Sequence, residues 1–291
     1  MDFITEFERY LYEDGKSPAT ILSYVGDVRG FLRFLSSNDH TFDGQLTRFF
    51  VTSFRGDLES QGYKYNTINK KINSLVSFNQ FLLDQGIMDT RVVDLKKDKV
   101  RIAYGSEQEV EVYTESEVER LLFFIQNESK VSVRDKLIIY ILLYTGIRVS
   151  ELVSIKLKDI DLLTLQMMIY GKGGKLRGVP LRAEVVKEIQ TFLATERKEH
   201  RFNNSEYLLL TQRSGKMDRD AVNKLLNKYG RILGIQMRPH KFRHTFCTRL
   251  LKAGVPLSTI SKLAGHSSIQ TTVEFYVNTS RQDKLDAVDL L

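Results

Sequence analysis

The chain has a single cysteine, Cys247, among its 291 residues. No intrachain disulfide can form, which excludes a disulfide-stapled scaffold and points to a reducing compartment. Long apolar runs are also missing. The longest fully apolar or aromatic stretch is Leu137 to Tyr144, far short of the ~20 residues that a membrane-spanning helix needs. Met1 to Glu13 mixes acidic and aromatic side chains and lacks the apolar core of a signal peptide. A cytoplasmic protein with no membrane partner is expected. There is no Gly-rich GxxxxGK phosphate loop, and no carboxylate cluster suggests a metal. Neither a cofactor nor a metal is therefore expected. Internal repeats and low-complexity tracts are absent as well.

What is present is an ordinary globular composition with a basic surplus. Hydrophobic residues make up 42% and charged residues 27%, which fits folded domains, and the length accommodates one large domain or two ordinary ones. The formal net charge is +7 and the sequence pI ≈ 9.3. Such a balance suits a polyanionic partner such as nucleic acid, because neutralised phosphates release counterions. Charge alone does not decide it, since many basic proteins bind no polyanion.

Hydrophobic spacing divides the chain into parts. Residues 1–95 read as four helices. Phe3, Phe7, Tyr10 and Leu11 recur at helical spacing, and Ser17-Pro18 offers an N-cap followed by proline at the first helical position. The helix opened there carries Ile21, Tyr24, Val25, Val28, Phe31, Leu32 and Leu35 on one face. A third, from about Thr47, carries Phe50, Phe54 and Leu58 and stops near Gly62; a fourth carries Ile68, Ile72, Leu75, Val76 and Leu82 and ends at Gly86. Four amphipathic helices of this kind predict an all-α bundle.

Residues 96–112 break the pattern. Lys96, Lys97, Lys99 and Arg101 form a basic stretch without an apolar face. It reads as a linker whose cations either touch a phosphate backbone or are simply solvated. A second domain, 113–291, opens on the capping-box pattern Thr114-Glu115-Ser116-Glu117. Leu137–Tyr144, apolar on nearly every side, is its expected buried centre. Strands are expected around Leu165 to Tyr170 and Val179 to Leu181, joined through Gly171-Lys172-Gly173-Gly174. Helices are expected over about Ala183 to Glu196, over Asp218 to Leu233 and from near His240, which makes this a mixed α+β domain.

The chemistry-bearing residues lie in this second part. Arg148, in Thr145-Gly146-Ile147-Arg148-Val149-Ser150-Glu151-Leu152, follows a Thr-Gly break after the buried helix. A guanidinium held there can fork onto two phosphate oxygens at any working pH, or pair internally with Glu151. In His240-Lys241-Phe242-Arg243-His244, the i, i+3 spacing sets His240 and Arg243 on one helical face, a proton acceptor beside a second anion clamp. His240 and His244 invite a zinc reading, but Lys241 stands where the helical zinc motif has glutamate. Cys247 reads as a small buried side chain. His266 follows a glycine in Leu263-Ala264-Gly265-His266-Ser267, where it is either a site residue or a helix-end hydrogen bonder. Tyr276 comes ten residues after His266 and thirty-three after Arg243. Cations and histidines around a tyrosine are the parts of metal-free phosphoryl transfer to a protein hydroxyl.

These motifs, with Gly171-Lys172-Gly173-Gly174-Lys175 between them, resemble the tyrosine recombinase (phage integrase) family, especially its Xer-type and transposon-resolvase members. The resemblance covers nearly the whole chain, and the motifs occur in the family's order and approximate spacing. It implies a SAM-like core-binding domain followed by a catalytic domain, together clamping duplex DNA. It implies that Tyr276 attacks the scissile phosphate to give a 3′-phosphotyrosyl link and a free 5′-hydroxyl, with His240 accepting the tyrosine proton. Arg148 and Arg243 would stabilise the transition state, Lys172 would protonate the leaving 5′-oxygen, and His266 would donate to the phosphate. Lys175 is the alternative to Lys172. The family places its tyrosine nine residues after the second histidine, where this chain has Phe275. Either a bulge absorbs the offset and Tyr276 attacks, or the protein binds DNA without cutting it; a type IB topoisomerase would share the chemistry but lack a defined site.

Lys64, Lys70 and Lys71 are candidate DNA contacts on the bundle, or ordinary solvated charges. Recombination in the family implies a homo-tetramer on two sites, strand exchange through a Holliday junction and possibly an accessory protein. The bundle starts almost at Met1, so no arm-binding domain is visible, and short inverted-repeat sites in nucleoid DNA are the expected substrate. After Thr279 the tail has Leu285, Val288, Leu290 and Leu291 at helical spacing, and is expected to dock onto a neighbouring protomer.

Overall fold

Helix boundaries follow from local chemistry. In the computed structural model, which describes residues 2–100, 110–171, 174–266 and 272–273, the chain divides into two compact units, residues 1–106 and 107–291. In the first, α1 (Phe3–Glu13) begins where the Asp2 carboxylate accepts from the Ile4 and Thr5 amides. α2 (Pro18–Ser37) begins at the Ser17 cap with Pro18 inside it, as the sequence predicts. α3 (Arg48–Ser60) is capped by Thr47, and α4 (Tyr65–Asp84) completes the bundle. The stripes read from the sequence bury Phe7, Leu11, Val28, Phe31, Leu35, Phe54, Ile68, Ile72, Leu75 and Leu82 in one core. Phe7, Phe78 and Phe81 meet inside it, two of their contacts near 5.2 and 5.6 Å between ring centroids.

The start of the expected linker is folded. Leu95–Asp98 forms a short helix, α5, whose Asp98 is buried on this unit. Asp98 accepts from Arg48 Nη1 at 2.6 Å and from the Asp94 amide at 2.8 Å. The Val100 amide donates to Asn69 Oδ1 at 2.8 Å. Helical periodicity does not reveal this docking, because one turn is too short for a stripe and polar pairs hold it.

The second unit is mostly helical around a small sheet. α6 (Glu115–Asn127) has the full Thr114–Glu117 capping box, and α7 (Val133–Thr145) is buried along Leu137–Leu143. α8 (Val149–Leu152) follows. β1 (Ile160–Asp161), β2 (Gln166–Tyr170) and β3 (Leu176–Pro180) form an antiparallel sheet in that order. In register, Met167 faces Val179, Ile169 faces Arg177 and Tyr170 faces Leu176. β3 thus starts three residues before the strand expected at Val179, and β1 was not expected at all. The rest is α9 (Ala183–Ala194), α10 (Arg219–Leu233), α11 (Pro239–Lys252) and α12 (Leu257–Ala264). No helix of the described residues is long and apolar enough to cross a membrane.

Candidate active site

α7 ends on Gly146 in the left-handed conformation, φ 59°. A Cβ there would lie 2.3 Å from Phe246, so only glycine fits both the backbone and the contact with α11. Two residues later Arg148 caps α8, and its amide donates to Glu151 Oε2 at 2.8 Å. Its guanidinium donates from Nη1 to Glu151 Oε1 at 3.0 Å and from Nη2 to the Gly265 carbonyl at 2.9 Å. The internal pair and the site position are therefore one arrangement: Glu151 aims the arginine.

Arg243 lies on α11 one turn after His240 and is 2% exposed. Nη1 donates to the Gly146 carbonyl at 2.8 Å, while Nη2 has no hydrogen-bond partner among the described residues. Burial, then the neighbouring Arg148 charge, pushes its pKa down to about 10, so it stays cationic at neutral pH. A buried cationic donor without an acceptor is costly, and a bound anion would satisfy it.

The histidines are held neutral. His240, on the lip, has its pKa lowered by partial desolvation, then by Arg243 and Arg148. His244 meets it edge-on, 4.2 Å between centroids and 78° between planes. Burial, then His240 and Arg243, takes His244 down to about 3. His266 follows Gly265, whose φ of 68° ends α12. Its Nδ1 is 2.7 Å from the hydroxyl of the buried Thr272. Burial, then Arg243, Arg148 and Arg177, lowers it to about 4. A cleft of about 590 Å³ opens here, with Arg148, His240, Arg243, Asn223, Asn227 and Arg238 on its walls.

Arg177 has no counterpart among the sequence candidates. It is 15% exposed in its side chain and forks onto Glu151, Nη1 to Oε1 at 3.0 Å and Nη2 to Oε2 at 2.8 Å. The Leu263 carbonyl accepts from its Nε at 3.1 Å. The signal that could have found it is the alternation Arg177, Val179 on a strand. Asn223 and Asn227 show only as two asparagines at i, i+4 on α10, and Thr272 as one threonine of a pair.

The described residues bring Arg148, His240, Arg243 and His266 together in one place, an arrangement with the chemistry to hold an anion and accept a proton. The sequence pattern described as "Phage integrase family" matches residues 111–283, and "Phage integrase, N-terminal SAM-like domain" matches 4–86. The chain belongs to the phage integrase family. It is a tyrosine recombinase with Xer and transposon relatives. It is 31% identical over 301 residues to the TnP I resolvase of Bacillus thuringiensis, covering 100% of each chain. It is 35% identical over 275 residues to tyrosine recombinase XerA of Thermococcus kodakarensis, covering 93% of this chain and 89% of that one. Its fold matches a crystal structure of the XerH site-specific recombinase bound to palindromic difH substrate, at TM-score 0.76 and 20% identity, over 94% of this chain and 80% of that one.

Two catalytic candidates of this recombinase, Lys172 and Tyr276, lie outside the described residues, as does Arg101. The hairpin that carries Lys172 is closed by Gly171 N–H to the Lys175 carbonyl at 2.7 Å and by Gly174 N–H to the Gly171 carbonyl at 3.2 Å. Lys175 is exposed. The remaining cations belong to the first unit. Lys64 is exposed at the start of α4, and Lys96 and Lys97 are exposed on α5, with Lys99 half-buried beside them. Lys70 and Lys71 both reach the buried Asp27 carboxylate, at 2.9 and 3.4 Å. Lys70 remains about half exposed, whereas Lys71 is largely covered.

Proposed function

We propose that this recombinase acts site-specifically, breaking and rejoining duplex DNA through a 3′-phosphotyrosyl intermediate on Tyr276. The Tyr276 hydroxyl attacks the scissile phosphorus, the bond to the 5′-oxygen breaks, and the 3′-phosphate stays on the protein. His240 takes the phenolic proton and Lys172 supplies one to the departing oxygen, so charge and protons balance. The observation that carries this reading is the pair of arginines at one cleft, with Arg243 Nη2 buried and unmatched among the described residues.

Tyrosine has a reference pKa of about 10 and is a weak nucleophile at neutral pH. A neutral histidine is the fitting acceptor, and such proton transfer contributes on the order of 10²–10⁴ in rate. The lowered pKa of His240 keeps it unprotonated at neutral pH. Each preorganised donor to the transition state contributes on the order of 10²–10³. Thr272 supports His266: with its hydroxyl donating to Nδ1, the proton stands on Nε2, ready to donate to a phosphate oxygen. Rejoining needs neither ATP nor a metal, because the phosphotyrosyl link conserves the energy of the broken bond and fixed cations neutralise the phosphate.

The substrate on this reading is a short inverted-repeat site in duplex DNA, held by both units. Four protomers exchange strands sequentially through a Holliday junction, with an accessory protein where the system uses one. The named relatives, a resolvase and XerA, support resolution of a mobile element or chromosome dimer; integration is the related outcome. The tail from residue 280 docks onto a neighbouring protomer. An apolar groove of about 340 Å³, walled by Leu143, Val179, Leu181, Phe246, Leu250 and Leu263, matches its leucines in chemistry.

The test is covalent capture of DNA from the native host in the presence of EDTA, comparing wild type, Tyr276→Phe, Phe275→Tyr and Lys172→Ala. An adduct lost in Tyr276→Phe is expected, with the site read from its sequenced ends. An adduct formed by Phe275→Tyr and not by wild type would identify a DNA-binding protein that has lost its nucleophile. Adducts spread over any sequence would favour a topoisomerase.

A further inference from the structure

Resting on the recombinase reading, we propose that Arg177 is a positioning residue for strand transfer, its guanidinium tying strand β3 to the Glu151–Arg148 pair and to the turn before His266. Three bonds to two separate parts of the site, Glu151 and the turn before His266, carry this. Nη1 and Nη2 occupy both oxygens of Glu151, at 3.0 and 2.8 Å, and Nε holds the Leu263 carbonyl at 3.1 Å. Glu151 in turn accepts from the Arg148 amide and guanidinium. Arg148 then closes the loop by donating to the Gly265 carbonyl, next to His266.

The fold brings Arg177 there for a definite reason. It pairs with Ile169 across the sheet, and partners across a ladder share a face. Ile169 and Val179 are buried, so Arg177 points to the packed face of the sheet and not outward with its neighbours Leu176 and Gly178. The Lys172 turn begins one residue beyond Tyr170, so the strand that carries Arg177 leads directly from it. Gly265 is shaped to the same guanidinium: an added Cβ would lie 2.5 Å from Nη1 and 2.6 Å from Cζ. Lysine could not replace this contact, since one ammonium cannot fork onto a carboxylate and hold a carbonyl in plane.

The full-length wild type, Arg177→Met, Arg177→Lys, Glu151→Gln and the Glu151→Gln/Arg177→Met double variant decide it. Single-turnover cleavage of a nicked duplex bearing the captured site is measured beside duplex affinity, and the His266 ring is titrated by NMR. Arg177→Met is expected to slow cleavage on the order of 10²-fold, the effect of displacing reacting groups by about 1 Å, while duplex Kd changes little. Arg177→Lys, which keeps the charge and loses the fork, recovers only part of the rate. The double variant is no slower than the slower single one, because both act through one contact. In Arg177→Lys as in Arg177→Met, the His266 titration moves up from about 4. Cleavage at the wild-type rate in Arg177→Met, a loss confined to Kd, or a His266 titration that Arg177→Lys leaves in place would overturn the assignment. Should wild type cleave nothing, the recombinase reading falls, and the His266 titration still decides whether Arg177 holds the turn.

Discussion

At the level of single residues, Arg148 and Arg243 are each aimed by a neighbour. Arg148 is placed by Glu151 and by the Gly265 carbonyl, and Arg243 by the Gly146 carbonyl. Both carbonyls belong to left-handed glycines that end helices, so the same residue stops the helix and presents an acceptor. Gly265→Ala is the sharp test. Its left-handed backbone alone costs roughly 1–2 kcal/mol for alanine, and the added methyl must displace Arg177. The expected outcome is a lower melting temperature together with slower single-turnover cleavage at unchanged duplex affinity. The motifs around Arg148, His240, Arg243 and His266 were legible because each is a short run with local spacing. Arg177 was not, since nothing beside it in sequence says that it faces Glu151.

Among the elements, the amphipathic helices were legible and the short pieces were not. α2 and α4 declare themselves through repeated apolar positions and through Ser17-Pro18. α5 and β1 have four and two residues, too few for a period to show. β3 begins at Leu176, although Leu176, Arg177 and Gly178 do not read as strand residues by propensity. Pairing with β2 imposes the extended backbone there, a case of tertiary context overriding local preference. α5 tests the same point in the first unit. Asp98 is 1% exposed and accepts from Arg48 and from the Asp94 amide. Removing a buried acceptor leaves its donors unmatched and costs roughly 1–3 kcal/mol. Asp98→Ala is expected to speed amide hydrogen exchange over residues 92–100 while leaving the protection of α2 and α4 unchanged.

For the whole molecule, the histidines couple stability to pH. His240, His244 and His266 all have folded pKa values below the ordinary 6.5, with His266 near 4 and His244 near 3. The unfolded chain therefore binds more protons than the folded one between about pH 6.5 and pH 3. The stability held by the neutral rings is present in full above pH 6.5 and is lost as the pH falls through that window. Thermal melts from pH 8 to pH 4 are expected to show a steady fall in midpoint, flattened in His266→Gln; a flat profile in wild type would contradict the burial of these rings. Assembly belongs to this scale as well. Deleting residues 280–291 is expected to leave binding of one protomer to a half-site intact and to abolish cooperative filling of the full site in a gel-shift titration. Undiminished cooperativity would remove the proposed docking of the tail.

The amino-acid sequence alone determined the family, the order of the two domains, the helices with long apolar stripes and the short motifs that carry Arg148, His240, Arg243 and His266. Those features are encoded within a turn or two of the backbone, where spacing and capping act directly. The tertiary structure alone decided how the site is held. Arg148 meets Gly265 across 117 residues, and Arg177 meets Glu151 across 26 and Leu263 across 86. Such contacts form only when packing brings distant segments together, and burial is what makes them strong, since water no longer competes for the same donors and acceptors.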